Sequence, residues 1–299
     1  FKVALDAVNS VGGIIMPRLL ERMGVECVCV NCEPTGEFAH NPEPLPSNLV
    51  ELCEAVVANG ADFGISVDPD VDRLALICEN GQPFGEEYTL VSVADYLLSR
   101  IYNEALETGK SIEEIAAPYQ MVTSSNLSSS RALRDVTEQY GGEYCTAAVG
   151  EVNVTTKMRE AGALIGGEGN GGVIYPALHY GRDAMVGVAL FLTNLAYKKM
   201  KVSELRASYP EYVIAKNKIE LSDSALIDKI LEEVKTVYAA EDINTIDGVK
   251  ISFESRKEWV HLRRSNTEPI IRIYAEAATK EAADALAQQI IDIANSIIQ

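Results

Sequence analysis

The 299 residues contain no apolar run near the ~20 residues that a helix needs to span a bilayer, so no membrane span is expected. The opening residues, Phe1-Lys2-Val3-Ala4-Leu5-Asp6, lack the basic segment, apolar stretch and small-residue cleavage site of a signal peptide. Cations are scarce: 26 Lys and Arg stand against 44 Asp and Glu, a net charge of −18. Such a chain repels a nucleic-acid backbone, so no nucleic-acid partner is expected. An anionic ligand would need cations gathered locally. Histidine is limited to His40, His179 and His261, without H-x-x-x-H or H-E-x-x-H spacing, so zinc is not expected. No G-x-S-x-G marks a nucleophile elbow.

Cysteine is present but sparse. Cys27, Cys29 and Cys32 form C-x-C-x-x-C, with no second Cys/His pair nearby; Cys53, Cys78 and Cys145 are scattered. Cys27 and Cys29 alternate within a strand-like stretch. The six are therefore expected to be buried structural thiols in a reducing compartment, the cytoplasm.

What is present is the composition of a folded, soluble protein, with 47% hydrophobic and 23% charged residues. The length suits two or three domains of roughly 100–150 residues. Residues 1–83 read as an α/β unit: strands at 2–7, 26–31, 61–67 and 74–78, and helices at 14–23 and 48–59. Ser47 is expected to cap the second helix and Gly60 to end it. Residues 84–208 repeat the plan, with helices at 90–107, 128–140, 154–161 and 182–200, and strands at 115–122, 143–147 and 163–166. Strands alternating with amphipathic helices predict mostly parallel, three-layer sheets. Residues 209–299 change to a smaller α+β unit: strands at 213–221, 248–255, 258–262 and 270–277, and helices at 224–238 and 280–298. The expected fold class is thus two related three-layer α/β domains followed by a smaller α+β C-terminal domain. Phe1 to Ala7 reads as a buried strand with no preceding loop and no Met, so residues upstream of Phe1 are expected in the parent protein.

Three loops carry chemistry. In Asp68-Pro69-Asp70-Val71-Asp72-Arg73, three carboxylates at alternate positions leave a strand. They suit a hard cation, and Mg²⁺ if a substrate phosphate completes the shell. Arg73 makes sense beside an anionic oxygen approaching the same metal. An EF-hand would place Glu79 at its twelfth position, but Arg73 stands where that loop needs Gly. A dehalogenase-type phosphatase also has D-x-D after a strand, yet no clear set of its further Lys and acidic residues is found. A solvated acidic turn is the plain alternative. In Gly166-Gly167-Glu168-Gly169-Asn170-Gly171-Gly172, five glycines allow close approach of a ligand, and Glu168 and Asn170 suit sugar hydroxyls. Taken alone, this loop reads equally as a flexible turn. It does not open a helix, as a dinucleotide fingerprint must. In Arg263-Arg264-Ser265-Asn266-Thr267-Glu268-Pro269, with Arg272 beyond, hydroxyls, an amide and guanidinium groups form a phosphate nest. Arg256, Lys257, Arg263, Arg264 and Arg272 supply the local cations; a charged hairpin is the plain alternative.

These three loops, in this order, resemble those of the α-D-phosphohexomutases, the family of phosphoglucomutase, phosphomannomutase and phosphoglucosamine mutase. The resemblance covers the whole chain as domains two, three and four of a four-domain family. It implies that Asp68, Asp70 and Asp72 match the metal loop, usually D-G-D-G-D-R, with Arg73 as its catalytic arginine. It implies that Glu168 and Asn170 match the sugar loop, usually G-E-x-S-G. Arg263, Ser265, Asn266 and Thr267 match the phosphate loop R-x-S-x-T-E-P. The implied reaction moves phosphate between the 1- and 6-hydroxyls of a hexose or hexosamine phosphate, with Mg²⁺, through a phosphoserine enzyme and a bisphosphosugar. The form Gly-Glu-Gly-Asn-Gly-Gly-Val resembles an archaeal-like branch, which makes glucosamine phosphate the first choice of substrate.

The chain departs from the pattern in places. Pro69 and Val71 replace glycines, Asn170 replaces a Ser, and Ala147-Ala148 supply no basic residue near Val149-Gly150. The phosphoserine loop, T-x-S-H-N-P in the first domain of the family, has no counterpart here; His40-Asn41-Pro42 follows Ala39. The expectation is a truncated phosphohexomutase, inactive alone. The alternatives are a non-catalytic sugar-phosphate-binding module and a Mg²⁺-dependent phosphatase.

Overall fold

The computed structural model describes residues 1–221, 225–265 and 270–298. The chain divides into two compact units, residues 1–146 with 150–210, and residues 147–149 with 211–299.

The first unit holds two four-stranded sheets. The first sheet is built from β1 (Lys2–Asp6), β2 (Glu26–Val30), β3 (Phe63–Val67) and β4 (Leu74–Cys78), with α1 (Gly12–Arg22) and α2 (Val50–Ala58) between them. Its order is β2-β1-β3-β4. β1 is parallel to β2 and β3, whereas β4 returns antiparallel to β3. All residues of β3 and β4 are buried. Leu52 and Val56 of α2 pack on Ala4, Ala75 and Ile77. Each such fully buried side chain stabilises the fold by roughly 1.5–3 kcal/mol.

The second sheet repeats this order one element for one. α3 (Glu86–Thr108) and α4 (Ile112–Ala116) precede β5 (Gln120–Asn126), α5 (Ala132–Gln139), β6 (Glu143–Ala147), α6 (Glu151–Ala161), β7 (Ala163–Glu168) and β8 (Gly172–Ile174). The order is β6-β5-β7-β8, again with an antiparallel last strand. α7 (Ala184–Lys198) and α8 (Val202–Ala207) close the unit. Asp183 caps α7 by accepting from the backbone N–H of Met185 at 2.7 Å and Val186 at 3.1 Å, which satisfies two orphan donors of the first turn. Phe191 of α7 meets Phe63 and Phe84 edge-on, both at 5.4 Å.

The second unit contains β9 (Val213–Glu220), α9 (Ala225–Val237), β10 (Asp242–Asn244), β11 (Val249–Phe253), β12 (Glu258–Arg264), β13 (Ile270–Ala277) and α10 (Lys280–Ile298). The antiparallel sheet runs β10-β11-β12-β13-β9. Alternate residues such as Ile271, Ile273 and Ala275 pack with Ile230 of α9 and Leu286 and Ile290 of α10. The other face carries the polar set, as the two-residue period requires.

Several local expectations are corrected. The strand expected over 115–122 starts only at Gln120, and residues 115 and 116 end the helix Ile112–Ala116: Ser111 and Glu114 form a capping box, each accepting from the other's backbone N–H at 3.2 Å. Ser47 does not cap α2; it lies in a 3₁₀ turn, and Leu49 precedes the helix without a side-chain cap. α5 begins at Ala132 rather than 128, because Asn126 Oδ1 accepts from Ser128 N–H and turns the chain. Gly166, Gly167 and Glu168 belong to β7, so only a short turn remains of the expected glycine loop. The thiols also differ from expectation: only Cys78 is buried, and Cys29 is exposed. The reason is position, since β2 is the edge of its sheet.

Candidate functional site

The two sheets share one strand order, and two of the expected loops fall at the same place in each. Asp68–Arg73 is the β3–β4 hairpin connection, and Gly169–Gly171 is the β7–β8 connection. Both lie at the carboxyl ends of parallel strands, where open α/β sheets bind ligands. The hairpins touch: Leu74 N–H donates to Gly171 O at 3.0 Å, and Ala184 N–H donates to Val71 O at 3.0 Å.

Candidate ligand oxygens of Asp68, Asp70 and Asp72 lie within 4.8 Å of one another. An all-carboxylate donor set is of the right hardness for Mg²⁺, and carboxylates this close can converge on one ion. The residues present therefore fit the cation. Asp68 is buried, Asp72 half-buried and Asp70 exposed. Asp68 Oδ1 accepts from the backbone N–H of Asp72 and of Arg73, both at 3.0 Å. Its Oδ2 accepts from Arg73 Nε at 2.6 Å. Burial pushes the Asp68 carboxyl up, but these hydrogen bonds from Arg73 and Asp72 outweigh it and hold the group below its ordinary range. Asp72 goes the other way: burial and the neighbouring Asp68 charge push it up to about 6, against the pull of Arg182. The loop is braced by Ser10, whose Oγ donates to Pro69 O at 2.7 Å. Val71 sits at φ 63°, a left-handed conformation that is costly for a β-branched residue.

Glu168 ends β7 with only 7% exposure. Its Oε1 accepts from Asn126 Nδ2 at 3.0 Å and its Oε2 from an Arg182 terminal nitrogen at 3.1 Å. Asn170 spends its Oδ1 on its own turn, accepting from Gly172 N–H at 3.2 Å.

Residues absent from the sequence reading complete this region. Arg182 donates to Asp72 as well as to Glu168, and lies 3.2 Å from Glu151 Oε2. Ser129 Oγ accepts from Gly169 N–H at 3.1 Å. Glu87 accepts from Ser130 N–H at 2.8 Å and lies where a side chain on Gly169 would be. Asn126 stands at the carboxyl end of β5, a position that could have flagged it; nothing local marked Arg182.

In the second unit, Arg263 and Arg272 are direct partners across β12 and β13, and Lys218 of β9 faces Arg272 from the other side. Lys216, Lys218, Ile270, Arg272 and Tyr274 line a cleft of about 440 Å³. Arg272 Nε is buried with no hydrogen-bond partner among the described residues. Ser265 N–H donates to Ile270 O at 3.0 Å. Asn266 and Thr267 lie outside the described residues. The expected cation cluster is corrected in membership. Arg256 and Lys257 precede β12, at the far end of that strand from Arg263, and Arg264 pairs with Asp228 at 3.3 Å. Lys216 and Lys218 take their place, because they share the face of Arg272.

Comparisons with known proteins agree along the chain. Family models described as "Phosphoglucomutase/phosphomannomutase, alpha/beta/alpha domain II", "alpha/beta/alpha domain III" and "C-terminal domain" match residues 1–81, 93–212 and 216–293. A "Probable phosphoglucosamine mutase" of Methanopyrus kandleri is 32% identical over 300 residues, covering 100% of this chain and 62% of that protein. A "Phosphoglucomutase/phosphomannomutase" of Thermococcus kodakarensis is 36% identical over 284 residues, covering 94% of this chain and 58% of its own. The chain thus spans about three fifths of the length of these curated relatives. A solved phosphoglucomutase/phosphomannomutase family protein of Burkholderia thailandensis superposes with a TM-score of 0.81 at 26% identity, over 98% of this chain and 60% of that one. Aspergillus fumigatus N-acetylphosphoglucosamine mutase, solved with GlcNAc-6P and magnesium, shares the fold at 15% identity, with a TM-score of 0.68 over 100% of this chain and 62% of that one.

Proposed function

The chain belongs to the phosphoglucomutase/phosphomannomutase family, and from that premise we propose that it forms the metal-, sugar- and phosphate-binding part of a phosphohexomutase. Residues 1–83 would carry the metal loop, 84–208 the sugar loop and 209–299 the phosphate loop. The observation that supports this best is the pairing of the first two loops at equivalent hairpins, joined through Arg182. The substrate would be a hexose or hexosamine phosphate, with glucosamine phosphate first.

Each residue has a physical role in this reading. Bound at Asp68, Asp70 and Asp72, Mg²⁺ would neutralise charge on a phosphoryl oxygen. Arg73, fixed by Asp68, would present its remaining N–H groups to the same phosphate. Glu168 would accept from sugar hydroxyls and Asn170 would donate to them. Arg263, Ser265, Asn266, Thr267 and Arg272 would hold the phosphate that is not transferred. The buried Nε of Arg272, without a hydrogen-bond partner among the described residues, supports that role. The phosphoryl donor of the family is a serine in a loop with no counterpart in this sequence. Turnover is therefore expected only when that domain is joined to this chain.

The phosphatase alternative is weaker. Both oxygens of Asp68 already accept hydrogen bonds, which blunts it as a nucleophile. Calorimetry tests the reading. With Mg²⁺ present, the chain is expected to bind glucosamine 6-phosphate saturably, without releasing inorganic phosphate. Absence of saturable binding of glucosamine, mannose and glucose 6-phosphates would overturn it.

A further inference from the structure

The geometry points to Arg182 as a positioning residue that couples the metal loop to the sugar loop. In the absence of a divalent cation it takes the cation's place at Asp72, and it is displaced toward Glu168 and the substrate when the cation binds. This rests on the functional reading of those two loops given above.

One guanidinium meets three carboxylates from three elements. It donates to Asp72 of the β3–β4 hairpin and to Glu168 of β7, and lies 3.2 Å from Glu151 of α6. Its side chain is 19% exposed, and its buried Nε–H makes no hydrogen bond among the described residues, although Glu151 Oε2 lies 3.2 Å away. A buried N–H left unmade is costly, so the observed pose is a compromise. The stem runs along the glycine turn: a Cβ on Gly172 would collide with Arg182 Cδ. The charge balance explains the compromise. Three aspartates within 4.8 Å repel one another, and Arg182 joins Arg73 in offsetting that repulsion. A divalent cation offsets it better. The metal would draw on the same Asp72 carboxylate that holds Arg182, and a divalent cation there repels the guanidinium. The displaced fork keeps Glu168 as its partner, beside Asn170, where sugar hydroxyls and a phosphate would arrive. By linkage, a cation that releases Arg182 must favour the sugar phosphate, and the sugar phosphate must favour the cation by the same factor.

Mn²⁺ binding to this chain, followed by electron paramagnetic resonance, tests the competition. Arg182→Gln is expected to tighten Mn²⁺ by about tenfold or more, consistent with coupling energies of 1–3 kcal/mol. In an Asp72→Asn background the same change is expected to have no effect, because the competition runs through Asp72. Arg182→Lys, which keeps the charge but loses the two-pronged contact, is expected to tighten Mn²⁺ at least about threefold. It serves if the Gln variant does not fold. Glucosamine 6-phosphate affinity should rise with Mn²⁺ by a larger factor in the parent chain than in Arg182→Gln, because only the parent gains the released guanidinium. Mn²⁺ affinity unchanged by both Arg182 variants, or an equal gain in the Asp72→Asn background, would overturn the inference. If no variant binds the sugar phosphate, the functional reading falls, and the Mn²⁺ cycle alone decides the competition at Asp72.

Discussion

Arg73 Nε lies 2.6 Å from Asp68 Oδ2, so the guanidinium of the β3–β4 hairpin is locked to the most buried of the three aspartates. The contact spans only five residues and closes the hairpin on itself. It divides the three carboxylates into two kinds. Asp68 supports the loop and would also hold the metal, whereas Asp70 faces solvent and is left to the metal alone.

The first prediction follows from that division. Asp70→Ala should abolish saturable Mg²⁺ binding while leaving the melting temperature within error. Asp68→Ala should lose Mg²⁺ binding and also about 2–3 kcal/mol of stability, since it leaves a partly buried Arg73 and two backbone N–H groups without their acceptor. Calorimetry and urea unfolding read the two effects. Wild-type Mg²⁺ affinity in Asp70→Ala would sink the metal-loop assignment.

Gly171→Ala is predicted to destabilise the first unit by about 1–3 kcal/mol. Gly171 sits at φ 87°, and a Cβ there would collide with the Leu74 carbonyl oxygen, which is backbone and cannot swing away. The same change should weaken Mg²⁺ binding, because Gly171 O is the acceptor that fixes Leu74, next to Arg73. A melting temperature equal to the parent's would show that the hairpins are not locked together.

Asp95 offers a test away from the site. It is 3% exposed and accepts from Tyr140 Oη at 2.7 Å, Tyr209 Oη at 2.8 Å and Lys198 Nζ. Burial and then the Asp95 carboxylate push both phenols well above the ordinary tyrosine range. Asp95→Ala should cost about 3–5 kcal/mol, because it strands a lysine and two hydroxyls. Asp95→Asn, which keeps an acceptor, should cost less. A loss below 1 kcal/mol for the alanine variant would refute the hub.

The second unit should weaken in mild acid through His261. Burial pushes its imidazole down to about 4, helped by Lys250 and Arg263 and opposed by the bond to Asp247 O at 2.6 Å. The unfolded chain takes up this proton near pH 6.5 and the folded one only near 4. Stability is thus full above the unfolded value and declines as pH falls toward 4, by an order of 2–3 kcal/mol from this group. Trp259, the single tryptophan and 2% exposed in β12, reports the unfolding of this unit. His261→Phe should flatten the profile between those pH values; an unchanged slope would assign the acid sensitivity elsewhere.

Much of this protein was legible from its residues in order. The helix at Lys280–Ile298 and the strands at Glu143–Ala147 and Ile270–Ala277 fall where their hydrophobic periods place them, because those periods are local. The closeness of Asp68, Asp70, Asp72 and Arg73 is local in the same way, since they sit within one turn. Misses were local too: the Ser111–Glu114 box overrode an apolar run, and β2 proved an edge. What only the tertiary structure decided is which distant groups meet. Asp68–Arg73 and Glu168–Asn170 lie about a hundred positions apart, yet they occupy equivalent hairpins of two sheets with one strand order. Arg182 stands 110 positions from Asp72 and 14 from Glu168 and contacts both. No local pattern encodes such a contact. It arises when α7 packs against the last strand of both sheets, and that packing fixes which charges must share a space.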